Sequence, residues 1–221
     1  MYKDRIVLGS GDLFCMLFSG TIPEDSAIET DENQLGEISG GATLEYSIEK
    51  YTAISDSGKR SKTIVTDETA LLKSGIMTWN GNTLEKLVST ARVSTSTDGK
   101  KRIVKIGGIA NQKNDKYLVR FRHKDAVDGD CRVTIVGTNQ AGLSIAFVKD
   151  KETVINAEFA AEPHDDEGTL IIYEEDIIGA EAAAAANDEP ADGEAAYDPE
   201  QSDSGEVTGT EEQPGEEEPS A

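Results

Sequence analysis

The amino-acid sequence predicts a mainly β protein whose strands form antiparallel sheets, arranged as a sandwich or an open barrel and flanked by one short α-helix. Short apolar runs, several of them alternating with polar residues, recur as far as residue 178, and a period of two is typical of strands with one buried face. The connections between the later runs are short and rich in turn residues. Since parallel strands need long crossovers, these connections favour antiparallel pairing.

The first part of the chain alternates between extended segments and polar connections. Residues 5–20 hold two apolar runs separated by Gly-Ser-Gly, which predicts two strands joined by a kink or a turn. Polar connections are predicted at residues 21–41 and 54–62, and the second contains a glycine. Residues 63–79 are predicted to be extended.

The strand predicted at residues 42–53 has two chemically different faces. Its apolar positions are Leu44, Tyr46 and Ile48, and its polar positions are Glu45, Ser47 and Glu49. This alternation predicts a half-buried strand, with the apolar face in the core and the acidic face outside.

One segment in the middle of the chain has the pattern of a helix. Asn82 is predicted to cap its N-terminus, with Glu85 three positions later as the partner in a capping box. Four apolar residues then fall on one face: Leu84, Leu87, Val88 and Ala91. A helix of ~8–10 residues is marginal by itself, so we expect it to lie against a sheet.

After the helix the pattern returns to strands separated by short polar turns. The predicted strands lie in residues 100–111, 116–124, 131–139, 142–150, 152–162 and 168–176. No helical segment and no internal repeat interrupts this series.

The charge is distributed unevenly along the chain. Residues 179–221 contain 14 of the 43 acidic residues and no Lys or Arg, so they carry −14 of the formal net charge of −22. We therefore expect two parts, a β domain at residues 1–178 and an acidic, low-complexity tail at residues 179–221. The tail has too little apolar surface to offset the entropy of ordering, which predicts disorder.

The residues that could carry chemistry form no recognisable catalytic or metal-binding motif. Cys15 and Cys131 are the only cysteines, His123 and His164 are the only histidines, and none of them lies at ligand spacing. We expect reduced, buried thiols, no cofactor, no bound metal and no enzymatic activity. The chain also lacks an apolar run of ~18 residues that would predict a membrane span.

Sequence-specific binding of nucleic acid is not expected either. The net charge has the same sign as that of DNA, and the basic residues at 120–124 form a single strand end. We expect these basic side chains to pair with acidic neighbours on the same subunit or on an adjacent one.

Several segments resemble the major tail tube protein of long-tailed bacteriophages, which are tailed double-stranded DNA viruses. The segments that carry the resemblance are residues 7–25, 32–47, 72–93, 105–112, 117–121 and 132–175. The resemblance extends over about residues 5–176 and depends on the order of these segments rather than on one motif. The acidic residues 179–221 lie outside it.

The resemblance implies a fold in which two packed antiparallel sheets are flanked by a single α-helix. In that fold the helix would cover the open side of the sheets. The residues expected to pack it are Trp79 at its entrance and Leu84, Leu87 and Val88 on its inner face. The resemblance also implies that six copies close a ring, that rings stack into a tube, and that a long loop reaches the neighbouring ring. The loop candidates are residues 21–41 and 54–62.

The implied function is structural, as the tail tube of a virion through which the genome is ejected into the host. We place Glu45, Ser47 and Glu49 on the channel wall, because carboxylates repel the phosphates of the passing DNA. We expect the acidic tail to project outward from such a tube as a brush of negative charge that prevents bundling.

The implied partners are other proteins of the same particle. They are further copies of the chain, the tape-measure, tail-terminator and baseplate or distal tail proteins, and, if the tail is contractile, a sheath protein. Genomic DNA would pass through without specific binding, and no membrane would be involved. Assembly would take place in the host cytoplasm.

Two alternatives remain open at this level. A tube subunit of a phage-tail-like bacteriocin or injection particle would share the fold and the lack of catalysis. A monomeric β-sandwich module that binds a ligand is less favoured, because such modules usually expose aromatic residues on one face and the chain has a single Trp.

Overall fold

The computed structural model describes Val7 and residues 9–177. The tail predicted at 179–221 lies outside the described residues, as does most of the first of the two apolar runs predicted as strands within residues 5–20. The elements are, in chain order, β1 (Asp12–Leu17), α1 (Asp25–Ile28), β2 (Gln34–Gly36), β3 (Ile38–Ile54), β4 (Ser61–Ile76), α2 (Gly81–Leu87), β5 (Arg92–Thr95), β6 (Arg102–Lys105), a 3₁₀ turn (Ile109–Asn111), β7 (Tyr117–His123), β8 (Cys131–Asn139), β9 (Ile155–Ala161) and β10 (Ile172–Glu175). Strands dominate, which confirms the mainly β prediction. Of the helices described, none is long and apolar enough to cross a membrane.

Eight of these strands form one antiparallel sheet, in the order β2-β1-β7-β8-β9-β4-β3, with β10 beside β8. The outermost strands, β2 and β3, follow each other in the chain with only Glu37 between them. The chain therefore passes directly from one edge of the sheet to the other, so the sheet curves back on itself as an open barrel whose two edge strands are joined at this connection. At this corner the Met77 N–H donates to the Glu37 carbonyl (2.8 Å). Of the two arrangements expected, a sandwich or an open barrel, the described strands fit the open barrel: they form one eight-stranded sheet and a separate β5–β6 hairpin.

The interior of the barrel is an apolar core to which one face of each strand contributes. On β4, the buried residues alternate: Ala70, Leu72, Ser74 and Ile76. This period of two is the one expected for a strand with one face on the core. The buried members of the largest cluster lie within residues 13–159, with Ala161 and Ile171 packed against it, and Leu170 is buried as well.

The helix α2 covers the core on one side. The structure places Leu84 and Leu87 among the buried core residues, with Trp79 and Val88 partly buried against them. Two polar contacts fix the helix to the first strands. The Lys86 ammonium donates to the Cys15 carbonyl on β1 (2.5 Å), and the Thr83 hydroxyl donates to the Leu35 carbonyl on β2 (3.2 Å).

The N-terminus of α2 is capped by Asn80, so the predicted cap at Asn82 is wrong. The Asn80 side chain accepts from the N–H groups of Asn82 (2.8 Å) and Thr83 (3.4 Å), and the Thr83 hydroxyl accepts from the Asn80 N–H in return. The predicted partner, Glu85, instead pairs with Lys113 (2.5 Å). Asn80 and Asn82 flank Gly81, but Asn80 is the one with the extended backbone of an N-cap residue. This conformation lets its side chain accept from the N–H groups of the first turn.

The strand predicted at residues 142–150 is not formed. This stretch is an irregular connection between β8 and β9, although Leu143 and Ile145 still pack partly against the core and Phe147 is exposed. Alternation alone produced the prediction, but no described strand lies beside this segment to pair with it. Conversely, β2 and α1 lie within the predicted polar connection, and β5 was not predicted.

Candidate interaction surface

The most prominent feature of the surface is the part of the β3–β4 hairpin that extends beyond the barrel. β3 and β4 are the longest strands described, with 17 and 16 residues, and they pair with each other from end to end. β9 accompanies β4 only from Leu71 to Ile76. Every residue from 43 to 69 is exposed. We call this two-stranded segment, residues 43–69, the arm.

Both edges of the arm lack a neighbouring strand within the described part of the chain. β3 pairs with β4 alone, and β4 has no second partner before Leu71. The backbone groups along these edges can therefore pair with a further strand. An isolated two-stranded ribbon is at best marginally stable in water, and no other described part of the chain covers this one.

A β-bulge divides the arm into two parts. The register shifts between Glu49 and Lys50, where Thr66 of β4 has no residue opposite it. Such a bulge bends the ribbon and changes which side chains of the two strands share a face. We call residues 43–49 and 67–69 the base of the arm, and residues 50–66 its tip.

The base of the arm brings the predicted channel-lining residues together on one face. That face carries Glu45, Ser47, Glu49, Asp67 and Thr69. The hydroxyls of Ser47 and Thr69 are hydrogen-bonded (2.7 Å), and Lys73 donates to Glu45 (2.7 Å). This hydrogen bond raises the pKa of Lys73. The face is polar and predominantly acidic, and it is exposed throughout.

The opposite face of the base is apolar but lies outside the core, so the prediction that it is buried is wrong for the single chain. Leu44, Tyr46 and Ile48 are 38%, 54% and 40% exposed. The alternation shows that this face is suited to burial, but it does not place a second layer of structure against it. The Tyr46 hydroxyl donates to Glu68 (2.7 Å), which raises the pKa of Tyr46.

The tip of the arm carries large apolar side chains on both faces. Tyr51 and Ile64 lie opposite each other on one face and are 59% and 48% exposed. Ile54 and Val65 lie on the other face and are 66% and 55% exposed. Burial of apolar surface is favourable, and a ribbon that is apolar on both sides gains its full hydrophobic stabilisation only when both sides are covered.

The charge of the arm changes sign along its length. The acidic residues of the base are Glu45, Glu49, Asp67 and Glu68, and the basic residues of the tip are Lys50, Lys59, Arg60 and Lys62. Asp56 is the one acidic residue of the tip. Within residues 9–177 the four cations form no ion pair. The arm therefore presents an acidic base and a basic tip at its surface.

A buried arginine on β7 is a feature that the sequence did not reveal. Arg120 is only 1% exposed, and it donates to the Thr134 hydroxyl (2.8 Å) on β8. Its guanidinium also donates to Asp25 of α1 and to Glu174 of β10 (2.9 Å). Arginine's five fixed donors allow one side chain to hold three elements together.

Two further arginines extend this cluster around Glu29. Arg122 donates to Glu29 (2.5 Å) and to Asp12 (2.9 Å), and Arg132 donates to Glu29 (2.8 Å). The basic residues at 120–124 thus find acidic partners on the same subunit, one of the two alternatives expected. The cluster ties the connection between β1 and β2 to its own barrel, whereas the loop at 54–62 lies in the tip of the arm.

The groups that could carry chemistry do not converge. Among the described residues, no three His, Cys, Asp or Glu side chains are arranged to hold a metal ion. Cys15 and Cys131 are buried and not disulfide-bonded. Burial raises the pKa of the Cys15 thiol to about 12, so this group is not a nucleophile near neutral pH.

Comparison with protein-family models and with curated proteins found no match to this chain. The arm is identified as the candidate functional site from the structure, by its open edges and its exposed apolar side chains.

Proposed function

We propose that the chain is a structural subunit that assembles with copies of itself into stacked hexameric rings, and that these form the tail tube through which a phage genome is ejected into its host. The resemblance of about residues 5–176 to major tail tube proteins supports this function. The observation that carries the proposal is the arm, a two-stranded ribbon of residues 43–69 with open edges and uncovered apolar side chains.

Copies of the same chain are well suited to cover the arm. In a ring, each arm has a neighbour on either side, so both of its edges can pair with the arms or barrels of adjacent subunits. Closure of the ring then leaves no free edge, which is how β-barrels avoid open-ended aggregation. The apolar residues of the tip would be buried at the same time.

The acidic face of the base suits the wall of a channel that carries DNA. In a barrel built from the arms, one face of each ribbon points to the centre, and we assign Glu45, Ser47 and Glu49 to that face. Carboxylates repel phosphate and release no counterions from DNA, so DNA gains nothing by binding to the wall. The apolar face of the base, around Tyr46, would then point outward and pack against the remainder of the ring.

Assembly through the arm can be tested with two matched variants. Ile64→Lys places a charge on the tip of the arm, and Ile103→Lys places one on the β5–β6 hairpin, where the native side chain is 40% exposed compared with 48% at Ile64. We expect native circular dichroism spectra for both. Negative-stain electron microscopy should show rings or tubes with a central hole for the wild type and for Ile103→Lys, but monomers for Ile64→Lys.

Two results would contradict the proposal. A wild-type protein that stays monomeric at high concentration would favour the ligand-binding module instead. Rings formed equally well by Ile64→Lys would show that assembly does not use the tip of the arm.

The channel wall can be tested by reversing its charge. Glu45→Lys combined with Glu49→Lys should leave tube formation intact but slow genome ejection, because the wall would then attract phosphate. Ejection from assembled particles, followed by DNA release over time, is the measurement. Ser47→Ala on the same face is the control that leaves the charge unchanged. Unchanged ejection kinetics in the charge-reversed particle would remove these residues from the wall.

A further inference from the structure

The basic tip of the arm and the acidic residues 179–221 have complementary charges. The tip carries four cations without an ion-pair partner in residues 9–177, and residues 179–221 carry 14 carboxylates without a single Lys or Arg. We propose that the acidic segment 179–221 binds the tip of the arm of its own chain and competes there with a second copy. The binding of the segment to the tip does not depend on the proposed function, whereas the competition with a second copy rests on it.

The chain enters the acidic segment at a known end of the barrel. β10 pairs with the beginning of β8, where Glu175 lies opposite Cys131. The next N–H, that of Asp176, donates to the Asp130 carbonyl (2.9 Å). The last described residues therefore lie at the end of the barrel where β8 begins.

The arm leaves the barrel toward that same end. β8 pairs with β9 through Gly137 and Ala161, and β9 pairs with β4 through Ala160 and Leu71. Because both pairs are antiparallel, moving along β8 toward its beginning corresponds to moving along β4 from Leu71 into the arm. The acidic segment and the arm thus emerge from the same end of the barrel.

The acidic segment is long enough to reach the tip. The arm extends about ten residues beyond Leu71, or roughly 33 Å of strand. A segment of 43 residues can span at most ~150 Å. Each exposed ion pair is weak, but attachment to the same chain raises the local concentration of the carboxylates to about the millimolar range. Several weak pairs can then hold the segment in place.

The charge pattern also directs the segment to the tip rather than to other parts of the surface. The acidic base of the arm repels it. The β5–β6 hairpin is basic as well, through Lys100, Lys101 and Arg102, but it packs on α2. The end of α2 is fixed to the opposite end of β8, since the Asn139 amide donates to the Leu87 carbonyl (2.9 Å). The hairpin is therefore a matched control: it also has two lysines and one arginine, but it lies toward the opposite end of β8 from the arm.

Occupation of the tip by the acidic segment has a consequence for assembly. Lys62 shares a face with Tyr51 and Ile64, and Lys50 shares the opposite face with Val65, so the cations lie beside exposed apolar side chains on both faces of the tip. A bound acidic segment covers part of this surface in the free subunit. It would delay association until copies on a growing tube displace it.

Carbodiimide crosslinking of the full chain tests the binding directly. The reagent joins carboxylates to amines in direct contact, and mass spectrometry of the monomer band identifies the lysines that are joined to residues 179–221. We expect Lys50, Lys59 and Lys62 to be crosslinked about fivefold more often than Lys100 and Lys101, and the crosslinks to vanish at ~1 M salt. Equal crosslinking at both places, or none at either, would overturn the proposal.

Two charge-neutralised variants of the full chain sharpen this test. Crosslinking of the acidic segment to Lys50 should fall severalfold when Lys59, Arg60 and Lys62 are all replaced by Gln. It should be unchanged when Lys100, Lys101 and Arg102 are replaced in the same way. An equal loss in both variants would mean that only the net charge matters, which contradicts a site at the tip.

The competition is tested by removing the acidic segment. A chain that ends at Ile178 retains the whole described core and should assemble with a shorter lag than the full chain, as followed by light scattering. An unchanged lag combined with sideways bundling of tubes would show that the segment acts as a repulsive brush, and would overturn the competition. Failure of the wild type to assemble would reject the proposed function, while the crosslinking in monomers would still decide the binding.

Discussion

The barrel and the arm share two strands, yet they differ completely in burial. Along β4, every second residue from Ala70 to Ile76 is buried, whereas all residues from 61 to 69 are exposed. The strand keeps β3 as its hydrogen-bonded partner over both parts. What changes is the structure beside it, because β9 and the remainder of the barrel accompany only the first part. Strand pairing and core formation are therefore separable within one hairpin.

This difference assigns different tasks to the two regions. Burial of apolar surface is the main source of stability, and it is concentrated in the barrel and under α2. The backbone hydrogen bonds of the arm can be replaced by hydrogen bonds to water. Its apolar side chains remain exposed to solvent in the single chain. Its contribution to the stability of a single chain should accordingly be small, and its surface is left for association.

The largest expected contrast is between an aromatic residue of the barrel and one of the arm. Phe159 on β9 is fully buried and Tyr51 in the tip is 59% exposed. Phe159→Ala should lower the free energy of unfolding by about 3–5 kcal/mol, whereas Tyr51→Ala should change it by less than ~0.5 kcal/mol. Urea denaturation of the monomer measures both. A Tyr51→Ala effect approaching that of Phe159→Ala would mean that the arm belongs to the cooperative core.

A smaller contrast tests how the helix is held on the barrel. Asn80→Ala removes the cap of α2 and should destabilise the chain by about 1 kcal/mol. Asn82→Ala, two residues later, removes a side chain that does not cap and should cost only a few tenths of a kcal/mol. Thermal unfolding of the two single variants provides the comparison. A larger loss of stability in Asn82→Ala than in Asn80→Ala would instead support the cap at Asn82 that the sequence predicted.

The smallest contrast compares an ion pair of the barrel with the pair that joins Glu45, in the base of the arm, to Lys73 on β4. Asp12 accepts from Arg122 (2.9 Å), which is largely buried, whereas Glu45 and Lys73 are much more exposed. Asp12→Asn should cost about 1 kcal/mol near pH 7, and Glu45→Gln should cost much less, because water screens an exposed pair. Denaturation at several pH values measures both. A Glu45→Gln effect as large as that of Asp12→Asn would contradict the division between barrel and arm.

The pH dependence of the Asp12 effect follows from its pKa. Burial raises the pKa of Asp12, but hydrogen bonds from Arg122 and Lys124 outweigh this and hold it below its usual value. The stabilisation is therefore fully present above about pH 4, the ordinary pKa of an aspartate, and it is lost as the pH falls through the folded-state value. The difference between wild type and Asp12→Asn should shrink correspondingly in acid.

The sequence predicted the class and several elements of the fold correctly. The antiparallel strands at 116–124 and 131–139 contain β7 and β8, because their apolar runs and short turns are local signals. The helix was predicted as well, but its cap was placed two residues too late. Asn80 and Asn82 are equivalent as residue types, and only the backbone conformation distinguishes the cap.

The candidate site was predicted only in part. The alternation of Glu45, Ser47 and Glu49 against Tyr46 and its neighbours correctly separated two faces. It could not show that both faces are exposed, because exposure depends on which other elements pack against the hairpin. Nor could it show that a bulge at Thr66 changes the pattern in the tip, because a bulge depends on the partner strand. The arginine cluster was equally hidden, since Arg120 and Glu174 are distant in the chain.

By itself the sequence determined the mainly β class, the antiparallel pairing, the position of one helix and the acidity of residues 179–221. These properties follow from periodicity, turn chemistry and charge, each of which is written in consecutive residues. The tertiary structure alone decided that β2 and β3 lie at the two edges of one curved sheet and that the long hairpin extends past its neighbours. Burial requires a second layer of structure, and that layer comes from residues far away in the chain.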